Sequence, residues 1–377
     1  MHTVSIVKAP PQPSMQDIRN TVEKSLSYLG GLESLVPKHA SVLIKPNIGT
    51  DEDYLSGLVT DWRVVEAIIA LLQEYGIQQI KIAESSIVGK DTQLSFEAAG
   101  YNEVAKRTGA VLVDLKKDEI QEVAVPNGLM LSKIKVHKTV ADSDFIINVP
   151  KLKTISATPV SFSMKNLKGV IPDPEKRRFH NLQLNHCIVD LNQAVKSDLI
   201  IVDGIIGSDF YQPKETNVII AGKNVVSVDA VACRVIGIDP YTVEYLVQAE
   251  KLKMGSASSE EIMLCGEKLE NVIYPFTKPV EQNKFALLFP DINIIFGDSC
   301  SGCTTSLYRA LDILKNQGRL SQLAGITIAM GTNPVIENCE RVLYVGNCTK
   351  TAAAEGYAIG CPPIPSEIAE FLYAGGK

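Results

Sequence analysis

Short apolar runs alternate along the chain with stretches in which apolar residues recur every three to four positions. Val42–Lys45 reads as a buried strand that must turn at Pro46-Asn47. In Trp62–Tyr75 the residues Val64, Val65, Ala67, Ile68, Leu71 and Leu72 share a helical face, with Asp61 as N-cap and Gly76 as C-cap. Ile80–Ala83 and Val111–Leu115 read as strands on either side of a helix over Phe96–Arg107 that Gly100 interrupts. Phe145–Val149 and Leu199–Asp203 are further buried strands, the first stopped by Pro150 and the second by Asp203-Gly204. Val218–Ala221 and Val225–Val228 predict a short hairpin over Gly222-Lys223-Asn224, and Asp229–Val235 a helix. Pro240–Lys253 predicts another helix, capped by Asp239.

This rhythm predicts an α/β fold with a mostly parallel sheet and helices on both faces. Gly255–Pro279 lacks periodicity, and a second α/β unit begins at Phe285. The expected organisation is an α/β domain over residues 1–254, a linker over 255–284 and a smaller C-terminal α/β module over 285–377.

Polar residues follow several strands directly: Lys45 and Asn47, Glu84 and Ser85, Lys151 and Lys153, and Asp203. Parallel sheets bind ligands outside the carboxyl ends of their strands, so these residues form a candidate cleft.

Charge sharpens that picture. The net charge is −6, which argues against a nucleic-acid binder. Between Lys133 and Arg178, however, ten Lys or Arg stand against four Asp or Glu. A basic segment in an acidic chain points to a local anion site. No apolar run is long enough to span a bilayer, and the N-terminal stretch does not read as a signal peptide, so the expected location is cytoplasmic.

Five of the eight cysteines fall within the last 78 residues, and in a cytosolic chain they are not expected as disulfides. They occur as Cys300-Ser-Gly-Cys303, then Cys339, then Gly346-Asn-Cys348 and Gly360-Cys361-Pro-Pro-Ile-Pro365. Four thiolates suit an iron–sulfur cluster, and Gly302 lets the Cys-x-x-Cys turn come close to it. Structural zinc also accepts four cysteines, but it commonly uses a second Cys-x-x-Cys knuckle, absent here. Cys339 fits neither motif nor spacing. It is a spare thiol, a redox-active residue or an alternative ligand. Over roughly 285–372 this pattern resembles the proximal-cluster module of nickel–iron hydrogenase small subunits and the related subunit of respiratory complex I. The resemblance implies a [4Fe-4S] cluster on Cys300, Cys303, Cys348 and Cys361.

A second resemblance covers the first two thirds of the chain. It is carried by Val42-Leu-Ile-Lys45-Pro-Asn47, Asn148-Val-Pro150-Lys151-Leu-Lys153-Thr154, Met164-Lys165-Asn166-Leu-Lys168-Gly169, Val202-Asp203-Gly204 and Ser227-Val-Asp229. These are similar to the family described as domain of unknown function 362, whose members often occur with iron–sulfur domains. Many members place a histidine after Lys-x-Lys-Thr, where this chain has Ile155.

Read from the residues, Lys45, Lys151, Lys153, Lys165 and Lys168, with Arg177 and Arg178, suit a carboxylate or phosphate ligand. Asp203 and Asp229 balance charge or bind a cation, and His180 is a candidate acid or base. The candidate catalytic residues are therefore Lys45, Lys151, Lys153, Lys165 and His180. No P-loop or dinucleotide fingerprint is present. The expected protein is an iron–sulfur oxidoreductase acting on an anionic small molecule, compatible with a redox protein partner and with a homo-oligomer. Two other readings stay open: an electron-transfer subunit docking to a partner, and a non-redox enzyme with a structural cluster.

Overall fold

The computed structural model describes residues 1–154, 158–277, 285–297, 299, 301–337, 339–350 and 356–376. Ile155 and Cys300 lie outside these residues. The described chain divides into two units. One contains residues 1–154, 160–176 and 186–277, and the other contains 158–159 and 177–185 together with the C-terminal segment from 285.

Strands of the first unit are β1 (His2–Lys8), β2 (Val42–Pro46), β3 (Ile80–Glu84), β4 (Val111–Asp114), β5 (Ile120–Ala124), β6 (Lys133–His137), β7 (Phe145–Val149), β8 (Lys151–Lys153), β9 (Leu199–Asp209), β10 (Gln212–Gly222) and β11 (Ile262–Gly266). Nine of them form one sheet in the order β11-β1-β10-β9-β7-β2-β3-β4, with β8 beside β9. The strands from β9 through β7, β2 and β3 to β4 run parallel, and β10 lies antiparallel to both β1 and β9. β5 and β6 form a separate antiparallel pair.

Both faces of the large sheet are covered. Val42, Ile44, Ile147, Leu199 and Ile201 share one core with the helices Met15–Ser27 and Trp62–Tyr75. The alternating neighbours Leu43, Ile200 and Val202 are just as buried but lie outside that core. Side chains alternate across a strand, so full burial at both parities requires layers on both sides. The helix Trp62–Tyr75 starts and stops as its sequence dictates. The Asp61 carboxylate accepts from the amide of Arg63, and Gly76 ends the helix at φ 101°.

Three expectations are corrected. Val225–Val228 is not a strand but the first turn of the helix Val225–Val235, because the Asn224 side chain caps it at Ser227 N. The hairpin instead joins β9 to β10 through Phe210 and Tyr211, whose φ angles of 52° and 72° supply the positive values a two-residue loop of this kind requires. The span expected as a linker from 255 contributes β11, which pairs parallel with β1. As an edge strand with Met263 and Leu264 exposed, β11 carries no alternation to reveal it. Pro240–Lys253 is a 3-10 turn over Pro240–Thr242 followed by the helix Glu244–Lys251.

The second unit has its own parallel sheet, β12 (Asn293–Phe296), β13 (Thr327–Met330), β14 (Val342–Val345) and β15 (Tyr357–Ala358), in sequential order. Leu307, Leu311 and Leu314 of the helix Ser301–Asn316 pack with Ile328, Val345 and Ile368, the last from the helix Pro365–Tyr373. Among the described residues no helix is long and apolar enough to cross a membrane.

Candidate functional site

From β2 the chain runs outward to β3 and β4, then returns to place β7 on the other side of β2. Such a reversal opens a crevice at the carboxyl ends of the two strands. The sequence places Lys45, Pro46 and Asn47 at one of these ends and Asn148 to Lys151 at the other. Thr60 stitches them together: its hydroxyl donates to Val149 O at 2.8 Å and accepts from Asn47 N at 2.8 Å. Nothing in the sequence pattern marks Thr60 for this role.

Two buried ion pairs line these ends. Lys45 Nζ lies 2.9 Å from Glu84 Oε2 and also donates to Pro46 O at 2.6 Å. Burial pushes the Lys45 ammonium below its ordinary range, and the Glu84 charge opposes that shift. Lys151 Nζ lies 2.7 Å from Asp203 Oδ2, which also accepts from Asp61 N. Burial raises the Asp203 carboxyl, and Lys151 holds it down. Gly169 presses on the first pair: a Cβ there would stand 2.0 Å from Glu84 Oε1 and 2.7 Å from Lys45 Nζ. The glycine in Lys168-Gly169-Val is thus required by close approach.

A chain of carboxamides crosses the crevice. Asn47 Nδ2 donates to Asn166 Oδ1 at 2.9 Å, Asn166 Nδ2 to Asn148 Oδ1 at 2.8 Å, and Asn148 Nδ2 to Ser163 O at 2.9 Å. Lys153 enters at its head, donating to Asn47 Oδ1 at 2.6 Å and to Leu58 O at 2.7 Å. Burial, with Lys151 beside it, lowers the Lys153 ammonium to about 7. Burial and Lys168 push Lys165 well below its ordinary range. Burial and Lys176 lower Lys168 to about 7.

The structure therefore gathers the five lysines singled out from the sequence into the first unit. Lys176, which drew no attention in the sequence, serves the same region. Its Nζ bonds Ser85 O, Ser85 Oγ, Ser86 O and Asp173, clasping the loop after β3. The Asp173–Lys176 spacing of three within a helix was the available signal. Asp229 has a structural part: it accepts from Ser163 N and Met164 N at the start of the short helix Ser163–Asn166, and burial raises its carboxyl to about 7.

His180 is not grouped with these lysines. It belongs to the second unit, where its Nδ1 lies 2.8 Å from Pro362 O and its carbonyl accepts from Cys361 N. Arg177, in the same unit, pairs with Glu367.

In the second unit the cysteine motifs follow carboxyl ends of parallel strands: Cys300 and Cys303 after β12, Cys348 after β14 and Cys361 after β15. Cys300 lies outside the described residues. Cys303 is buried in the first turn of the helix Ser301–Asn316. Gly346 has φ 97°, and a Cβ there would stand 3.4 Å from Cys303 Sγ, 3.6 Å from Cys348 Sγ and 3.8 Å from Gly360 O. Two thiols from distant motifs thus flank one point, with the residue before Cys361 beside it. Asn347 ties the last two loops together, its amide donating to Gly360 O at 2.9 Å and its Oδ1 accepting from Gly360 N at 2.8 Å. Among the described residues no group of three or more His, Cys, Asp or Glu side chains is placed to hold a metal ion. Cys339 bonds Glu337 O and lies apart from this arrangement in sequence.

A thylakoid-associated protein of Synechocystis sp. is 25% identical to this chain over 270 residues, covering 66% of the chain and 82% of that protein. Among solved structures, the lactate racemase apoprotein from Thermoanaerobacterium thermosaccharolyticum is similar over 100% of this chain and 81% of its own, at 12% identity and a TM-score of 0.42. The family described as domain of unknown function (DUF362) matches residues 42–234. That segment holds every lysine of the strand-end site and ends before the C-terminal cysteines, and on this match the chain belongs to the DUF362 family.

Proposed function

We propose that the protein is an iron–sulfur redox enzyme. It holds a [4Fe-4S] cluster on Cys300, Cys303, Cys348 and Cys361, and an anionic substrate or cofactor at the strand ends of the first unit. The observation that carries the cluster is the convergence of Cys303 Sγ and Cys348 Sγ, from two separate motifs, at 3.4 Å and 3.6 Å from the place a Cβ of Gly346 would take. When bound, such a cluster supplies one-electron transfer.

The chain's own residues support the reading in several ways. Cys303 sits in the first turn of a helix, where the backbone dipole favours the thiolate that a metal requires. Asn347 and the His180 carbonyl hold the Cys361 loop through its backbone, which orients the ligand. In the first unit, buried ammonium groups at a strand-end crevice favour an oxyanion.

Protein purified without oxygen should contain about four iron and four sulfide per chain and a broad visible absorption that dithionite bleaches. Stoichiometric zinc without sulfide defeats the cluster. Unchanged turnover after the cluster is reduced defeats the redox role and leaves a structural one.

A further inference from the structure

The end of the large sheet opposite the lysine crevice has a cavity of its own. β10 ends there beside the starts of β1 and β11, because it runs antiparallel to β1 while β11 runs parallel to β1. The chain enters β9 at the same edge through residues 196–198. The cavity measures about 690 Å³. Small-molecule sites typically measure roughly 300–1,000 Å³. None of its lining residues belongs to the strand-end site described above.

The wall has two chemistries. Lys196 and Lys223 supply two exposed cations, and among the described residues neither ammonium forms an ion pair or a hydrogen bond. The lining holds one carboxylate, Asp198, whose Oδ2 accepts from Ile146 N at 2.9 Å. The lysines are therefore in excess. Lys223 and Asn224 lead into the helix Val225–Val235, where Asn224 Oδ1 caps Ser227 N at 3.0 Å. The amides of Val225 and Val226 find no carbonyl within their own helix, so the helix start adds positive potential to this side. The rest of the wall is apolar: Tyr28, Leu29, Met254 and Met263. Tyr28 and Met263 are 39% and 46% exposed, and Asn224 Nδ2 holds the Met254 carbonyl at 2.8 Å. Methionine side chains adapt readily to the shape of a ligand.

We propose that this cavity is a second binding site, for an amphiphilic organic anion such as an acyl carboxylate. Lys196 and Lys223 take the charged head, and Met254, Met263 and Tyr28 take the apolar body. The site depends neither on the cluster nor on the strand-end crevice. A small ion would engage the lysines alone, and exposed charges bind weakly because water and salt screen them. A neutral apolar molecule would engage the methionines and tyrosine but gain nothing from the lysines. A ligand with both parts uses the whole wall.

Nuclear magnetic resonance of the full chain, carbon-13-labelled at its methionine methyl groups and titrated with octanoate, octanol and acetate, tests this. Octanoate should shift the signals of Met254 and Met263, assigned through Met254→Leu and Met263→Leu, and leave those of the buried Met164 and Met330 in place. Octanol and acetate should each bind roughly tenfold more weakly than octanoate, or worse. The double change Lys196→Ala with Lys223→Ala should weaken octanoate roughly tenfold and leave octanol as it was. Both side chains are exposed, and if the double variant fails to fold, the single changes and the wild-type titrations decide. Sedimentation with phosphatidylglycerol vesicles identifies the source of the anion: capture that excess octanoate reverses assigns it to a bilayer lipid, and any other result assigns it to a free molecule. Octanol binding as tightly as octanoate overturns the proposal, and so does an octanoate affinity that the lysine changes leave intact. Octanoate that leaves Met254 and Met263 unshifted overturns it as well.

Discussion

Lys45 and Glu84 form an ion pair of 2.9 Å whose partners are 0% and 2% exposed, one at the end of β2 and the other at the end of β3. The Glu84 carboxylate also accepts from Ile48 N and Ser85 N, at 2.8 Å each, so one side chain orders the loops after both strands. Glu84→Gln leaves a buried ammonium uncompensated. Loss of one partner from a buried pair costs about 3–5 kcal/mol. Urea denaturation should show a loss of that order, and the double change Lys45→Met with Glu84→Gln should recover part of it. A Glu84→Gln variant as stable as the wild type would mean that the pair contributes little.

Gly169→Ala places a methyl group 2.0 Å from Glu84 Oε1. The pair must separate or the Lys168–Val170 turn must shift, at about 1–3 kcal/mol for overpacking of this kind. The expected outcome is a lower denaturation midpoint together with weakened anion binding. Wild-type stability with intact anion binding would show that the turn moves freely.

Lys153 and Lys168 are both held to about 7, below the ordinary lysine value of 10.5, by burial first and neighbouring lysines second. Between about 7 and 10.5 the unfolded chain then binds more protons than the folded one. Stability contributed by these groups is complete above the unfolded value and is lost as pH falls through that window. Without ligand, denaturant midpoints should therefore rise from pH 7 towards pH 10, and Lys168→Met should flatten the rise relative to the wild type. Parallel profiles for variant and wild type would show that Lys168 titrates normally.

Cys348→Ser should cut the iron and sulfide content to less than about half, because one of four cluster ligands is lost. Cys339→Ser, whose thiol bonds only the Glu337 carbonyl among the described residues, should leave both unchanged. Analysis of iron and sulfide in the two variants, purified side by side without oxygen, separates the cysteines. Equal loss in both would return Cys339 to the ligand set.

Much of the first unit is legible in local pattern. Asp61 and Gly76 bound their helix because a carboxylate cap and a left-handed glycine act within a single turn. The apolar runs of β2, β7 and β9 read as buried strands because burial on both faces leaves no polar alternation. β11 escapes such a reading, since an edge strand owes its place to a partner 260 residues away and not to its own side chains.

The candidate site divides in the same way. The residues by themselves supply the chemistry: lysines and asparagines directly after strands, and cysteines in a fixed order with glycine and proline around them. Which lysine pairs with which carboxylate was decided only by the strand order, which brings Glu84 of β3 to Lys45 and Asp203 of β9 to Lys151. The same order leaves Lys153 with neutral partners. His180 belongs to the second unit, where its ring meets the Cys361 loop at Pro362 O. Sequence carries the identity of a charged group, but its neutralisation depends on distances between residues far apart in the chain, and those exist only after the sheet has formed.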